Sequence, residues 1–140
     1  MAILLVVLVL VAVLVVHSRT TLDLGQPCGS IVSGPPVVPT SAAVVHADIA
    51  CFAQAYARCS AASLTTTDNF GDGYSQATYV VVPGQGPHGP CGLVIQWSTL
   101  IVGSNHSTSG QLECAALTRQ GDVLTFHDCG HGDVRVPPGL

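Results

Sequence analysis

The sequence predicts an exported α+β protein in which one amphipathic helix packs on a four- or five-stranded antiparallel sheet held by disulfides. An aliphatic run occupies Ala2 to Val16 and has no counterpart later in the chain. Six cysteines follow it, as expected for a small domain in an oxidising compartment. A stretch of helical periodicity then precedes several short β-rich segments, which is the order of an α+β domain.

The N-terminal block indicates where the chain works. Its 15 apolar residues span about 22 Å as a helix, less than the bilayer core of about 30 Å, which favours a signal peptide. No basic residue precedes the run and no A-x-A site follows it. An uncleaved membrane anchor therefore stays open, with a buried core helix as the remaining alternative. Residues 1–19 are assigned as signal peptide or membrane anchor, and residues 1–16 as the part that contacts the membrane before any cleavage.

Composition excludes several function classes. Charged residues make up only 9% of the chain, lysine is absent, and the four arginines are scattered. A nucleic-acid partner is excluded because it requires a basic surface. The even number of cysteines and the lack of any C-x-x-C motif argue against zinc knuckles, redox pairs and c-type haem. An extracellular or cell-envelope location is predicted, with membrane anchoring if the leader is retained.

The chain divides after the leader into a linker and one domain. Residues 20–40 are rich in proline and glycine, which predicts a linker of extended and turn conformation. Residues 41–140 then form a single α+β domain. Its helix is predicted from Ser41 to Ser60, with Thr40 or Ser41 as the cap. One apolar stripe faces the core of the domain and comprises Val45, Ile49, Phe52, Tyr56 and Cys59.

Short β-rich segments separated by turns fill the rest of the domain and predict an antiparallel meander. The predicted strands are Leu64–Asp68, Tyr74–Val82, Cys91–Val102, Leu112–Arg119 and Val123–His127, and a last short strand over Asp133–Val136 stays open. Four aromatic residues are expected in the core between helix and sheet, with an exposed binding strip as the alternative. They are Tyr74, Tyr79, Trp97 and Phe126.

The cysteine positions favour one disulfide pattern among the fifteen that six cysteines allow. A tight loop from Gln120 to Val123 places Cys114 opposite Cys129 across a hairpin. Cys59 lies on the core side of the helix and reaches Cys91 at the start of the long strand. The remaining pair is then Cys28 with Cys51.

The densest polar cluster comprises His127, Asp128, Cys129, His131 and Asp133. Imidazole and carboxylate groups at this spacing make His127, Asp128, His131 and Asp133 weak metal-ligand candidates, although a polar turn after a hairpin is the favoured interpretation. No Gly-x-Ser-x-Gly elbow and no phosphate-binding loop is present. No catalytic residue and no cofactor is therefore assigned. Asn105 begins an N-glycosylation sequon whose use the sequence leaves open.

One segment carries a resemblance to a group of known proteins. The run Cys51-Phe52-x-Gln54-Ala55-Tyr56-x-x-Cys59, followed by Ala62-Ser63-Leu64 and the late Cys129-Gly130, resembles small uncharacterised bacterial exported domains, many of them lipoproteins. It extends over residues 45–136 and implies no activity. The lipoprotein cysteine has no counterpart here. The order of helix and meander is also similar to cystatin-like and nuclear-transport-factor-2-like folds, and fold does not determine function.

The predicted function is that of an exported, non-enzymatic binding or cell-surface module with an unknown protein or small-molecule ligand. One alternative is a subunit of an extracellular filament or surface assembly, in which the apolar N-terminal helices pack together. The other alternative is a metal-dependent enzyme that uses His127 and His131.

Overall fold

The computed structural model describes residues 24–86, 89–104 and 106–137. It is an α+β domain with one helix, a five-stranded sheet of order β1-β2-β3-β4-β5 and a three-stranded sheet of order β6-β7-β8. Its elements in chain order are β1 (Gln26–Ser33), α1 (Ala42–Arg58), β2 (Ala62–Asn69), β3 (Gly73–Pro83), β4 (Cys91–Ile101), β5 (His106–Cys114), β6 (Ala116–Gln120), β7 (Val123–His127) and β8 (Val134–Val136).

Helix α1 follows its predicted course and is slightly shorter at both ends. Ser41 stands at the N-cap position in extended conformation, but its side chain makes no capping hydrogen bond. Cys59 ends the helix in the left-handed conformation at φ 51°, and its N–H and that of Ser60 donate to carbonyls of the last turn. Ile49 and Phe52 in the predicted apolar stripe are fully buried.

The first strand corrects the predicted linker and the predicted antiparallel sheet. Residues 26–33 form β1, which pairs with β2 in parallel, so the sheet is mixed. Pro27 is accommodated because β1 lies at the sheet edge, and the register shifts between Pro27 and Ser30. The proline and glycine content that indicates a linker therefore marks an irregular edge strand.

The meander also divides into two sheets instead of one. Strands β2 to β5 pair in antiparallel order. Pairing within this sheet ends before Ala115, and the chain then forms a separate hairpin. Phe126 on β7 packs within 5.9 Å of the Phe52 ring and 4.9 Å of the Tyr79 ring, as measured between centroids. The second sheet thus closes the core over the helix and the first sheet.

Three disulfides join the layers, and they are the pairs that the sequence favours. Cys28 bonds Cys51, Cys59 bonds Cys91 and Cys114 bonds Cys129. In the β6–β7 hairpin Gln120 lies opposite Val123. The same register, continued beyond the paired residues, places Cys114 opposite Cys129. None of the six cysteines is free.

The predicted apolar N-terminal helix lies outside the described residues. Within them, no helix combines the length and the apolar content needed to cross a bilayer. The topology with a parallel edge strand and a second sheet does not show the cystatin-like or nuclear-transport-factor-2-like order.

Candidate functional site

A chain of hydrogen bonds on the second sheet links a hydroxyl, an imidazole and a carboxylate. The Nδ1 atom of His127 lies 2.9 Å from Oδ2 of Asp133, and its Nε2 atom lies 2.8 Å from Oγ1 of Thr118. Thr118 pairs with Thr125, and Ala116 pairs with His127. The side chains of Thr118 and His127 are therefore diagonal neighbours on one face of the β6–β7 hairpin. We name these three residues the relay.

The loop after β7 holds Asp133 in place. Its second carboxylate oxygen accepts a hydrogen bond from the Asp128 N–H at 3.2 Å, and the Cys129 N–H donates to the Gly132 carbonyl. The Asp128 hydrogen bond is the main cause that lowers the pKa of the exposed Asp133 carboxyl, followed by the contact with His127. In the neutral tautomer that carries its proton on Nδ1, His127 donates to Asp133, and its Nε2 accepts the Thr118 hydroxyl proton.

The relay changes the interpretation of the predicted metal candidates. Both ring nitrogens of His127 are already hydrogen bonded, and Cys129 is in a disulfide. In residues 24–86, 89–104 and 106–137, no three His, Cys, Asp or Glu side chains converge as a metal site would require. His127 and Asp133 come together, Asp128 contributes its backbone, and His131 is an exposed loop residue outside the hydrogen bonds of the relay.

The arrangement of the relay has the order found in sites of acyl transfer, in which a base activates a hydroxyl and a carboxylate orients the base. Sequence reasoning missed Thr118 because it sought a Gly-x-Ser-x-Gly elbow. The signal that finds it is the β6–β7 register, which brings Thr118 beside His127. Thr118 stands on an exposed strand, and the relay does not line either groove described below.

The five-stranded sheet presents a second candidate on the side away from the helix. Leu64, Tyr79 and Ile95 pair across β2, β3 and β4 and are buried beneath the helix, so their chain neighbours point the other way. We call this opposite side the outer face. Two neighbouring rows of this face across β2 to β5 are Thr65–Thr78–Gln96–Gln111 and Thr67–Gln76–Ser98–Ser109. The row beyond the first, Ser63–Val80–Val94–Glu113, is buried from Ser63 to Val94 and lies outside the exposed part of the face.

All eight of these side chains are uncharged hydroxyls or amides, and all are at least partly exposed. Two hydrogen bonds connect them, from Gln76 to Thr67 and from Gln96 to Gln111, and both are 3.5 Å long. That length is at the outer limit of a hydrogen bond, so the groups retain most of their capacity to donate and accept. Tyr74 stands in the next row of the same face, 36% exposed.

The four aromatic residues of the sequence analysis divide between the expected core and the alternative of an exposed binding strip. Tyr79 and Phe126 are buried in the core, and Trp97 lies half-buried on the helix side of the sheet. Tyr74 is exposed on the outer face, where the alternation of β3 places it with Gln76 and Thr78.

Two further concave regions lie among the described residues. A shallow groove of about 490 Å³ runs beside the Cys59–Cys91 disulfide and is lined by Tyr56, Arg58 and Pro90 among others. A much smaller cavity of about 20 Å³ lies at the end of the outer face, between Gln85, Gly92 and Glu113. That cavity has room for roughly one water molecule.

One buried carboxylate stands apart from both candidates. Asp48 on α1 is 9% exposed, and its Oδ2 atom has no hydrogen-bond partner. Burial raises the pKa of Asp48, and a hydrogen bond from the Ser30 backbone opposes that rise. A Cβ atom on Gly29 would lie 2.2 Å from this carboxyl group, so the irregular part of β1 fits directly over it.

No protein-family model matches the chain, and no match was found among curated proteins or solved structures. The resemblance to bacterial exported domains therefore stays a prediction. His88 and the sequon residue Asn105 lie outside the described residues.

Proposed function

We propose that the chain is an exported, non-enzymatic binding module whose ligand lies on the outer face. The observation that carries the proposal is the pair of in-register rows of uncharged, partly exposed side chains across four strands. A rigid sheet positions such groups more precisely than loops do. The three disulfides support export because they form and persist in oxidising compartments.

The proposed binding is tested with the secreted, tagged protein and washed cells of the organism that makes it. Gln96 lies exposed at the centre of the outer face, and Gln54 lies exposed on α1 on the opposite side of the sheet. We expect Gln96→Lys to weaken binding by about tenfold, or about 1.4 kcal/mol, while Gln54→Lys binds like the unaltered protein. Equal binding by both variants would contradict the proposal.

The export step is tested by mass spectrometry of the mature N-terminus. Cleavage near residues 17–21 identifies residues 1–19 as a signal peptide. A retained N-terminus identifies a membrane anchor and favours the surface-assembly alternative, in which the apolar segments pack together. Protein found in the cytosol with six reduced thiols would overturn export altogether.

The relay favours acyl transfer as a second candidate. In that reaction the Thr118 hydroxyl adds to an ester carbonyl, His127 takes its proton and returns it to the departing alcohol, and an acyl-threonine is formed. The probe is p-nitrophenyl acetate, followed by mass spectrometry of the Thr118 peptide. An acetyl adduct lost in Thr118→Val and retained in Thr125→Val supports this candidate, and hydrolysis equal in both variants ends it.

A further inference from the structure

We infer that the ligand of the outer face is an extended, neutral polysaccharide. The inference rests on the proposed function and names its ligand class. It is argued from the charge of the face, from the hydrogen-bonding capacity of its side chains and from the position of Tyr74.

The charge of the face disfavours ionic ligands. Neither row contains an acidic or basic side chain, and the chain has no lysine at all. Glu113 stands at the end of the face opposite to Tyr74 and would repel an anion. A charged ligand would lose hydration on this surface without gaining a charged partner, and that loss costs affinity. An uncharged ligand does not bear this cost.

The hydrogen-bonding groups match a ligand covered with hydroxyls. Threonine and serine hydroxyls and glutamine amides each donate and accept, as sugar hydroxyls do. The groups repeat about every 4.8 Å across the strands and about every 6.8 Å along them. A regular lattice of this kind fits a ligand that is itself periodic and lies flat, since successive units then meet equivalent partners.

Tyr74 supplies the apolar part of the site. Its ring is exposed at the end of the rows, beside Leu100 on β4, and the C–H face of a sugar ring can lie against it. The Phe70 ring occupies the other side of the sheet, where a Cβ on Gly73 would approach it to 2.7 Å. The Tyr74 ring lies next to two rows of hydroxyls and amides. This arrangement suits a ligand that has both apolar and hydroxylated surfaces.

A peptide strand fits this surface less well. Extended peptides bind sheets by adding to an edge, where backbone groups are unpaired. Strands β2, β3 and β4 each have a strand on both sides, so their backbone groups are already paired beneath the outer face. Recognition on the face must therefore use side chains alone, which again favours a ligand rich in hydroxyls.

The test measures binding of the full secreted protein to insoluble cellulose, to chitin and to soluble dextran, with carboxymethylcellulose as the charged comparison. We expect binding to at least one neutral polymer and about tenfold weaker binding to the charged one. Tyr74→Ala and Gln96→Lys should each lose about tenfold in affinity. Tyr74→Phe, which keeps the ring, and Gln54→Lys on the helix should bind like the unaltered protein.

The outcomes separate the inference from the proposed function. Binding to cells that depends on Gln96, without binding to any of the three neutral polymers, overturns the polysaccharide inference and leaves the binding module in place. Polymer binding that is equal in Tyr74→Ala and Gln54→Lys also overturns the inference. If neither cells nor polymers distinguish the Gln96 and Gln54 variants, both proposals fail. The melting temperature of each variant is measured to confirm that it is folded.

Discussion

Two aspartates in this domain have pKa values shifted in opposite directions, and each shift has a local cause. Asp48 is buried on α1, where loss of hydration disfavours its charge and raises its pKa. Asp133 is exposed on the loop after β7, where hydrogen bonds from Asp128 and His127 favour its charge and lower its pKa. The two residues therefore affect the free energy of unfolding oppositely as the pH changes.

Asp48→Asn should remove a stabilisation that appears on acidification. The pKa of Asp48 is higher in the folded state, so its proton contributes stability that is fully present below the unfolded pKa and is lost as the pH rises through the folded pKa. As the pH falls from 7 to about 4, we therefore expect the unaltered protein to gain free energy of unfolding relative to the variant. Urea unfolding at each pH measures it, and a difference independent of pH would contradict the assignment.

Asp133→Asn should show the opposite dependence. The lowered pKa of Asp133 contributes stability above its unfolded pKa, and this is lost as the pH falls through the folded pKa. The variant should therefore be less stable than the unaltered protein at pH 7 and should approach it in acid. Asp72→Asn in the β2–β3 turn is the comparison. If Asp133→Asn stays equally destabilised in acid, its effect comes from the shape of the loop and not from the charge.

At the scale of elements, the helix and the hairpin could be predicted because each has a strong local pattern. The 3.6-residue period places Ile49 and Phe52 in the core, and the tight turn at Gly121 fixes the register that brings Cys114 to Cys129. Strand β1 has no such local pattern, because its pairing partner β2 follows α1 in the sequence and its own Pro27 and Gly29 suggest a loop. The irregular part of β1 lies where Gly29 meets Asp48. This is a tertiary contact, so the local sequence does not show it.

Gly29→Ala tests that contact. The backbone of Gly29 has φ of 135°, and an added Cβ would meet the Asp48 carboxyl group at 2.2 Å. Both effects oppose the substitution, and we expect a loss of about 1–3 kcal/mol in the free energy of unfolding. Gly89→Ala is the matched control, since nothing lies within 4 Å of the added atom there, and its effect should stay within about 0.5 kcal/mol. Equal effects of the two substitutions would refute the close fit of β1 over Asp48.

The candidate sites show the same limit of sequence reasoning. His127 and Asp133 are close in sequence and could be proposed as a cluster, but the third member, Thr118, required the pairing of β6 with β7. The outer face required the registers of four strands at once, because its residues come from separate segments and carry no motif. A site of uncharged side chains has no charge pattern that would mark it in a sequence.

For the whole molecule, the disulfides connect the layers that packing brings together. Cys28–Cys51 ties β1 to α1, Cys59–Cys91 ties the end of α1 to β4, and Cys114–Cys129 ties β5 to the loop between β7 and β8 of the second sheet. They close sequence separations of 23, 32 and 15 residues. Each bond is worth about 3–4 kcal/mol by loss of entropy in the unfolded chain.

Reduction of the protein should therefore unfold it or leave it marginal. The three bonds together contribute about 10 kcal/mol by the same reasoning, which is comparable to the whole stability of about 5–15 kcal/mol typical of a domain. We expect the midpoint of urea unfolding to fall steeply in excess dithiothreitol, with loss of near-ultraviolet circular dichroism. Cys28→Ala with Cys51→Ala should release β1 and lower the midpoint while the other two bonds stay intact. A fully reduced protein with an unchanged midpoint would mean that the core alone holds the fold, and the chain would then have no physical need of an oxidising compartment.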